Sequence, residues 1–342
     1  MDAPCIAIVL SNRNGREDTL MCLNSLTALN DVDVRVIVCD NSSADGSIPA
    51  FLEWGQQSLG GVRKGVRLVR CGDAADITLD NFLTIIDIGA NLGFAGANNL
   101  AIRLALAESS IEAVWLLNND TEVEPWTLAA LRRQLADDPT IGICGSTLVY
   151  WHDRTKVQAV GVHFNLALGR GQQIGWGQTR ERLPDRNEVE RRMTYVPGAS
   201  MLVSRRFLET VGLLEESYFL YCEELDWSLR NRGRFRLAWA PESVVYHKEG
   251  GSIGTRSLSR PSNLAIYYQN VNLLRIVARF RPYLLPLSFL RLGFITARFL
   301  LRRDRAAARL VLRAGTDFFA GRRRVEEDAW SLNREPITSA SD

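Results

Sequence analysis

The chain has 342 residues, 46% hydrophobic and 23% charged, an ordinary globular composition long enough for one large domain with an appendage, or for two domains. Its six cysteines include no C-x-x-C pair and so lack zinc-site spacing, and a chain of this length buries enough apolar surface to need no disulfide staples. The net charge of +2 is unevenly placed: fourteen arginines against Asp304 and Asp317 make residues 260–324 +12, the tail 325–342 is −4 and the rest is −6, so a charged surface is the expected partner of the C-terminal region.

The N-terminus lacks the cationic stretch of a secretory leader and runs directly into a strand pattern, which sets a cytoplasmic expectation. Cys5 to Leu10 is a short run apolar on both sides, as in a buried parallel strand. A helix follows with Leu20, Leu23, Leu26 and Leu29 on one face, then a second buried strand, Val34 to Cys39. That strand ends in Asp40-Asn41-Ser42-Ser43, a cluster of turn formers. Ile48 to Trp54 reads as helix, residues 56–80 as loop with an edge strand, Leu83 to Ile88 as strand and Ala95 to Ala107 as helix. Ala113 to Leu117 is a strand ending at Asn118-Asn119-Asp120, Pro125 opens a helix, and Ile141 to Tyr150 is another strand. This β-α-β-α order predicts an α/β fold with a doubly wound, mostly parallel sheet.

The second half is less regular. Gly169 to Asn187 is rich in Gly, Gln and Arg and reads as a surface loop, where Trp176 either stacks on a sugar or packs into the core. Tyr195 to Val203 reads as strand and Glu223 to Asn231 as helix. From Pro282 on, the chain turns helical, with Arg291, Arg298, Arg302, Arg305, Arg309 and Arg313 close to one line and Leu292, Ile295, Phe299, Leu310 and Val311 away from it. That is one amphipathic basic helix, or two in sequence. Arg291, Arg298 and Pro286 argue against a membrane span, and the pattern predicts a helix lying on an anionic membrane surface, its Leu, Ile and Phe inward.

An open α/β sheet binds ligands at the carboxyl ends of its strands. Four such ends carry polar residues: Ser11-Asn12, Asp40-Asn41, Asn91 with Asn98, and Asn118-Asn119-Asp120. No G-x-G-x-x-G follows the first strand and no G-x-x-x-x-G-K-[ST] occurs, which disfavours a dinucleotide dehydrogenase or P-loop enzyme. A diphosphate is then best held through a divalent cation on oxygen ligands, with Asn118-Asn119-Asp120 as the candidate turn.

Six stretches in order carry a resemblance: IVLSNRNG (8–15), VIVCDNSSADGS (36–47), NLGFAGANN (91–99), WLLNNDTEVEP (115–125), VPGASMLVSRRFLETVGLLEESYFLYCEELDWSLR (196–230) and VVYHKEGGSIG (244–254). Together they resemble the family-2 inverting glycosyltransferases of GT-A-type fold, and the pattern is most similar to bacterial rhamnosyltransferases of cell-envelope polysaccharide synthesis. The resemblance implies a transferase domain over residues 1–259 and a basic helical extension over 260–342. It implies that Asp40 accepts a hydrogen bond from the donor's base, with Ser11 and Asn12 nearby, and that Asn91, Gly93, Phe94 and Asn98 line the ribose and sugar side. Asn118 and Asp120 fall at the ends of the family's D-x-D motif with Asn119 between them, and His247 would join them on Mn²⁺ or Mg²⁺. The departure is Asn118, an amide where many members carry Asp. Glu224 would be the base, Glu223 and Asp226 would bind acceptor hydroxyls, and Pro197, Gly198, Ala199 and Ser200 would floor the acceptor. Arg230, one helical turn past Asp226, reads as an internal ion-pair partner.

The implied activity is inverting sugar transfer from a nucleotide sugar to a saccharide or polyprenyl-linked saccharide, first of all L-rhamnose from dTDP-rhamnose. Galactofuranosyl, N-acetylhexosaminyl and glucosyl donors stay open, as do a sugar nucleotidyltransferase and a non-catalytic sugar-nucleotide binder. No nucleic-acid partner is expected. The expected place is the cytoplasm, peripheral to the cytoplasmic face of the inner membrane.

Overall fold

The computed structural model describes residues 5–321 apart from 32, 62, 73–76 and 249–260. The tail 325–342, the 249–254 end of the last motif and the 259/260 boundary therefore lie outside the described residues. The chain divides into two compact units. Among the described residues one holds twelve strands and seven α-helices, and the other holds three α-helices with two short segments, Leu166–Gly169 and Ser217–Cys222.

In the larger unit, β1 (Cys5–Asn12), β2 (Val34–Asp40), β3 (Val66–Arg70), β4 (Leu83–Asp87) and β5 (Ile111–Asn118) form a parallel half-sheet in the order β3-β4-β2-β1-β5. The edge strand expected within 56–80 is β3. Beyond β5 the sheet continues as β11 (Ser200–Ser204), β7 (Ile141–Tyr150), β12 (Arg236–His247) and β6 (Thr121–Val123), with β8 (Val157–Ala159) against β7. Here β11 runs antiparallel to both neighbours, while β7 and β12 are parallel. The result is a mixed, mostly parallel sheet.

The period-2 geometry of a strand sorts its side chains onto two faces. Ile6, Ile8 and Leu10 join one core with Leu23 and Leu26 of α1 (Arg16–Thr27), Phe51 of α2 (Ser47–Ser58) and Leu128 and Leu131 of α4 (Thr127–Asp137). Cys5, Ala7 and Val9 join the other, with Ala97, Ala101 and Ile102 of α3 (Gly93–Ala107), Phe207 of α6 (Arg205–Val211) and Trp227 of α7 (Glu223–Asn231). Both faces are covered, which is why these strands read as continuous apolar runs. The six cysteines are free; Cys5, Cys22, Cys39 and Cys144 are buried, and burial pushes the Cys22 thiol up to about 12.

Register decides where the polar strand ends fall. Asn12 lies opposite Asp40, Asp40 opposite Asp87, and Ser11 opposite Asn118. With Arg70 opposite Asp87 as well, all five parallel strands end at one edge of the sheet. The stretch read as a loop from Gly169 departs from that reading: Arg170–Ile174 is β10, a hairpin partner of β9 (Gly161–Asn165), and α5 (Arg186–Arg192) starts before Asn187. Backbone pairing with β9 overrides the low strand propensity of Gly and Gln there.

The second unit is α8 (Asn263–Phe280), α9 (Leu285–Leu301) and α10 (Arg305–Phe319). Helix α8 begins well before Pro282, where the sequence pattern placed the start of the helical region. Ser262 accepts the Ala265 amide at its N-terminus, and Asp304 does the same for Ala307 on α10. The break at 302–304 makes two helices of the arginine-rich stretch. Leu292, Ile295, Phe299, Leu310 and Val311 pack with Ile266 and Leu274 as this unit's own core. They are therefore not the membrane-facing side, a correction to the sequence reading. Arg291 donates to Asn270 and Arg313 to Asp317, which removes both from the open arginine line. The exposed apolar residues of these helices instead include Tyr283, Leu287, Leu290, Phe294 and Leu301, with Leu300, Leu312 and Phe319. Among the described residues one helical stretch, Pro282–Leu301, is long and apolar enough to cross a membrane, with mean hydropathy 1.6.

Candidate active site

The carboxyl edge of the parallel half-sheet is wired by a network around Asn12. Its Nδ2 donates to Asp40 Oδ2 at 2.7 Å and Ser43 Oγ at 3.1 Å. Its Oδ1 accepts from Gly15 N, Thr19 Oγ1 and Asn119 Nδ2 at 3.0–3.2 Å. Asp40 Oδ1 takes the Ser43 amide at 2.8 Å. Asn12, Asp40 and Asn119 are all buried. Asp40 is thus the wall behind the crevice, with both oxygens engaged and no exposed surface to form its rim.

Asn41, one of the polar strand-end residues, is given no role of its own by the sequence. Its Nδ2 donates to Ser11 Oγ at 3.1 Å, and its Oδ1 accepts the Leu92 amide at 3.1 Å, tying β2 to the turn before α3. Gly93 opens that helix with φ +72°, a conformation that favours glycine. Asn98 is buried and donates to the Phe94 carbonyl of its own helix, so it faces inward rather than toward a sugar. Ser11, Asn91, Phe94 and Asn118 keep partial exposure.

The turn after β5 meets β12. His247 ends β12 opposite Thr121 of β6, which brings its ring to Asp120. Asp120 Oδ1 lies 3.2 Å from His247 Nε2, and Asn118 Nδ2 lies 3.3 Å from the same nitrogen. Two ligand atoms about 2.1 Å from one cation and at right angles are about 3 Å apart, so the Asp120 Oδ1–His247 Nε2 spacing fits one divalent ion, while the Asn118 atom nearest the ring is its donor nitrogen. A carboxylate, an imidazole and an amide suit Mn²⁺ or Mg²⁺. Among the described residues no cluster of three His, Cys, Asp or Glu side chains that could hold a metal ion occurs.

Next to this turn lies the floor expected for an acceptor. Asn118 N donates to the Ala199 carbonyl at 3.0 Å, and β11 starts opposite Leu117. One residue before Ala199, Gly198 packs on the acidic segment: a Cβ there would sit 2.0 Å from Glu224 Oε1. Pro197 and Gly198 are part-exposed. Ala199 and Ser200 are buried, and the Ser200 hydroxyl is taken by Trp115 Nε1 and Ser146. Ser200 is therefore a core hydroxyl and not an acceptor contact. Asp226 is likewise corrected: it has no exposed surface and pairs with Arg230, as the i,i+4 spacing predicts for Arg230.

Glu223 and Glu224 open α7. Glu223 is buried, and its Oε1 has no hydrogen-bond partner. Burial first, and then the neighbouring charges of Glu224 and Asp226, push its carboxyl well above the usual carboxylate range. Glu224 is half-buried; desolvation raises it too, while its own backbone N–H and that of Gly198 hold it down. Both carboxyls are thus raised by burial. Trp176, 60% exposed with its Nε1 donating to the Tyr150 hydroxyl, is not a core residue.

The family model described as Glycosyl transferase family 2 matches residues 5–212. The chain is 25% identical over 247 residues to an N-acetylglucosaminyl-diphospho-decaprenol L-rhamnosyltransferase of Mycobacterium tuberculosis, covering 68% of this chain and 72% of that one. It is 27% identical over 159 residues to the low-salt glycan biosynthesis hexosyltransferase Agl10 of Haloferax volcanii, 43% of this chain and only 45% of that relative's length. Among solved structures, the fold is shared with the mannosyltransferase PcManGT from Pyrobaculum calidifontis in complex with GDP-Man and Mn²⁺, with TM-score 0.54, 15% identity and coverage of 94% and 89%. It is shared also with S. aureus TarS 1-349 in complex with UDP-GlcNAc, with TM-score 0.55, 13% identity and coverage of 96% and 83%.

Proposed function

The chain belongs to glycosyl transferase family 2, and from that premise we propose that it moves L-rhamnose from dTDP-rhamnose, with inversion, to a hydroxyl of a polyprenyl-linked saccharide. The observation that carries the chemistry is the Glu224 carboxyl against Gly198, one residue from the Ala199 contact to the Asn118 turn. The sugar and acceptor follow the mycobacterial relative's name. The transferase part is residues 1–259 and the helical extension 260–342.

In this reading Glu224 takes the acceptor hydroxyl proton as that oxygen attacks the anomeric carbon and the bond to the leaving diphosphate breaks. One displacement from the opposite face inverts the centre without a covalent intermediate. Ser11, Asn91, Phe94 and Asn118 are the exposed donor contacts, backed by Asn12, Asp40, Asn98 and Asn119. Pro197 and Gly198 offer the acceptor its floor, with Glu223 beneath. Asp120, His247 and Asn118 would hold Mn²⁺ or Mg²⁺, which supplies charge compensation for the leaving diphosphate.

A panel of nucleotide sugars with Mn²⁺, read out as nucleoside diphosphate release, tests this. Release from dTDP-rhamnose, abolished by chelator and restored by Mn²⁺, is expected. Full activity in excess chelator removes the metal from the scheme, preference for another nucleotide sugar replaces the donor, and pyrophosphate release from a nucleoside triphosphate would make the chain a nucleotidyltransferase.

The lipid-linked acceptor puts the protein at the cytoplasmic face of the inner membrane. The exposed apolar stripe of Tyr283, Leu287, Leu290, Phe294 and Leu301, with exposed Arg298, Arg302, Arg305 and Arg309 nearby in sequence, supports docking on anionic lipid. Sedimentation with anionic vesicles at low salt, lost when Leu290 and Phe294 become Ser, is expected; equal recovery in the supernatant with and without vesicles sinks it.

A further inference from the structure

His247 is held from behind as well as in front. Its Nδ1 lies 2.8 Å from Gln158 Oε1, on the ring side away from Asp120 and Asn118. Both partners are buried, Gln158 at 3% and His247 at 7% exposure. An amide oxygen accepts and never donates, so Nδ1 must carry the proton of this bond. When the ring is neutral, its lone pair is then on Nε2, facing Asp120 Oδ1 and Asn118 Nδ2. In the chain without a cation, the Asn118 amide can donate to that lone pair and occupy the direction a cation would take.

The scaffold around this contact is stiff. Gln158 is the central residue of β8, paired with β7, and Val157 beside it exchanges backbone hydrogen bonds with Gly177 and Gln178. His247 ends the longest strand, between β7 and β6, and its carbonyl accepts the Trp151 amide at 3.1 Å. Two fixed strands therefore set the Gln158–His247 distance, and a side-chain hinge has little part in it. Within the all-buried run Val157-Gln158-Ala159, a polar side chain costs free energy unless it is bonded, and the His247 imidazole supplies that bond.

We propose that Gln158 is a positioning residue for the cation: its amide oxygen locks His247 in the Nδ1–H form and aims Nε2 at the ion held with Asp120. An outer hydrogen bond of this kind fixes both the tautomer and the ring direction of a metal-binding histidine, and its loss typically costs 10–100-fold in affinity. The inference rests on the divalent-cation reading of Asp120 and His247, and the first measurement below is independent of it.

The chain has only three histidines, His152, His163 and His247, so ¹⁵N chemical shifts of the imidazoles resolve His247 in the metal-free protein. Nδ1 protonated is expected; a neutral ring protonated on Nε2 overturns the assignment, whatever the metal does. The second measurement is Mn²⁺ binding, by loss of the free-ion electron paramagnetic resonance signal. Gln158→Met keeps the length of the side chain and removes its acceptor; it is expected to weaken Mn²⁺ binding 10–100-fold. Gln158→Glu restores an acceptor at the same place and is expected to bind at least as tightly as wild type. Equal affinity of wild type and Gln158→Met overturns the proposal. Wild-type protein that takes up no Mn²⁺ would overturn the cation reading instead, leaving the tautomer measurement to decide what Gln158 does.

Discussion

Two clusters of buried polar residues at the same end of the sheet are built on opposite terms. Around Asn12 every group answers another: five hydrogen bonds on one amide, and an Asp40 carboxylate with both oxygens occupied. At the start of α7 a buried carboxyl adjoins a half-buried one, and among the described residues Glu223 Oε1 has no hydrogen-bond partner. A satisfied network fixes a shape. An unsatisfied acid beside another acid is a store of proton affinity. In the proposed reading the first cluster frames the donor and the second carries the proton transfer, although both read in the sequence as strings of Asn, Asp and Glu.

The largest effect separates the two directly. Glu224→Gln keeps the shape of the site and removes its base, so transfer should fall about 10²–10⁴-fold while nucleotide-sugar binding holds. Because burial raises the Glu224 carboxyl, the acid limb of the wild-type rate profile should lie above the ordinary carboxylate range, with activity lost as pH falls through it. Steady-state rates against pH, and donor binding by calorimetry, check both parts. Wild-type turnover in the variant would leave α7 without a catalytic acid.

The mirror-image substitution is Asn12→Leu. It should leave kinetic constants of any residual folded protein closer to wild type than Glu224→Gln does, and act instead on the fold. It strips a partner from the buried Asp40 carboxylate and from Thr19 and Asn119 at once, for a loss of about 2–4 kcal/mol in urea unfolding. A loss below about 0.5 kcal/mol, the size of an ordinary surface change, would mean that the network is not what holds this edge together.

The contrast was only half legible in the sequence. The alternating strands, the doubly wound sheet and the polar strand ends follow from apolar runs broken by turn formers, because both faces of each strand are covered. Burial is a tertiary property and does not show in a motif: Ser200 and Asp226 read as acceptor contacts, yet Trp115 and Arg230 claim them from elements distant in sequence or on the next helical turn. Helix α8 escaped notice because Leu264 to Val277 is buried on nearly all sides, with Tyr and Asn among the aliphatics, so no single apolar face marks it. Gln158 carried one signal, a lone polar residue within an apolar Val-Gln-Ala strand. Nothing local says that its partner lies 89 residues on.

The smallest effect tests the idea of a stored proton most narrowly. A carboxyl whose pKa is raised by folding makes the native state bind more protons than the unfolded chain at pH values between the two. The stability it contributes is complete below the unfolded value, about 4.3 for Glu, and is lost as pH rises toward the raised folded value. Glu223 is pushed up most, so it should drain stability from the wild type between mildly acidic and neutral pH. Glu223→Gln cannot ionise and should escape that drain. Urea unfolding should find the variant equal to wild type near pH 4 and more stable by about 1–3 kcal/mol at pH 7.5, the scale of burying an unpaired polar group. Its transfer should survive far better than that of Glu224→Gln, since Glu223 is not the proposed base. Parallel pH–stability curves for variant and wild type would show Glu223 to be ionised and paired in the native protein, and the two clusters would then be frames of the same kind.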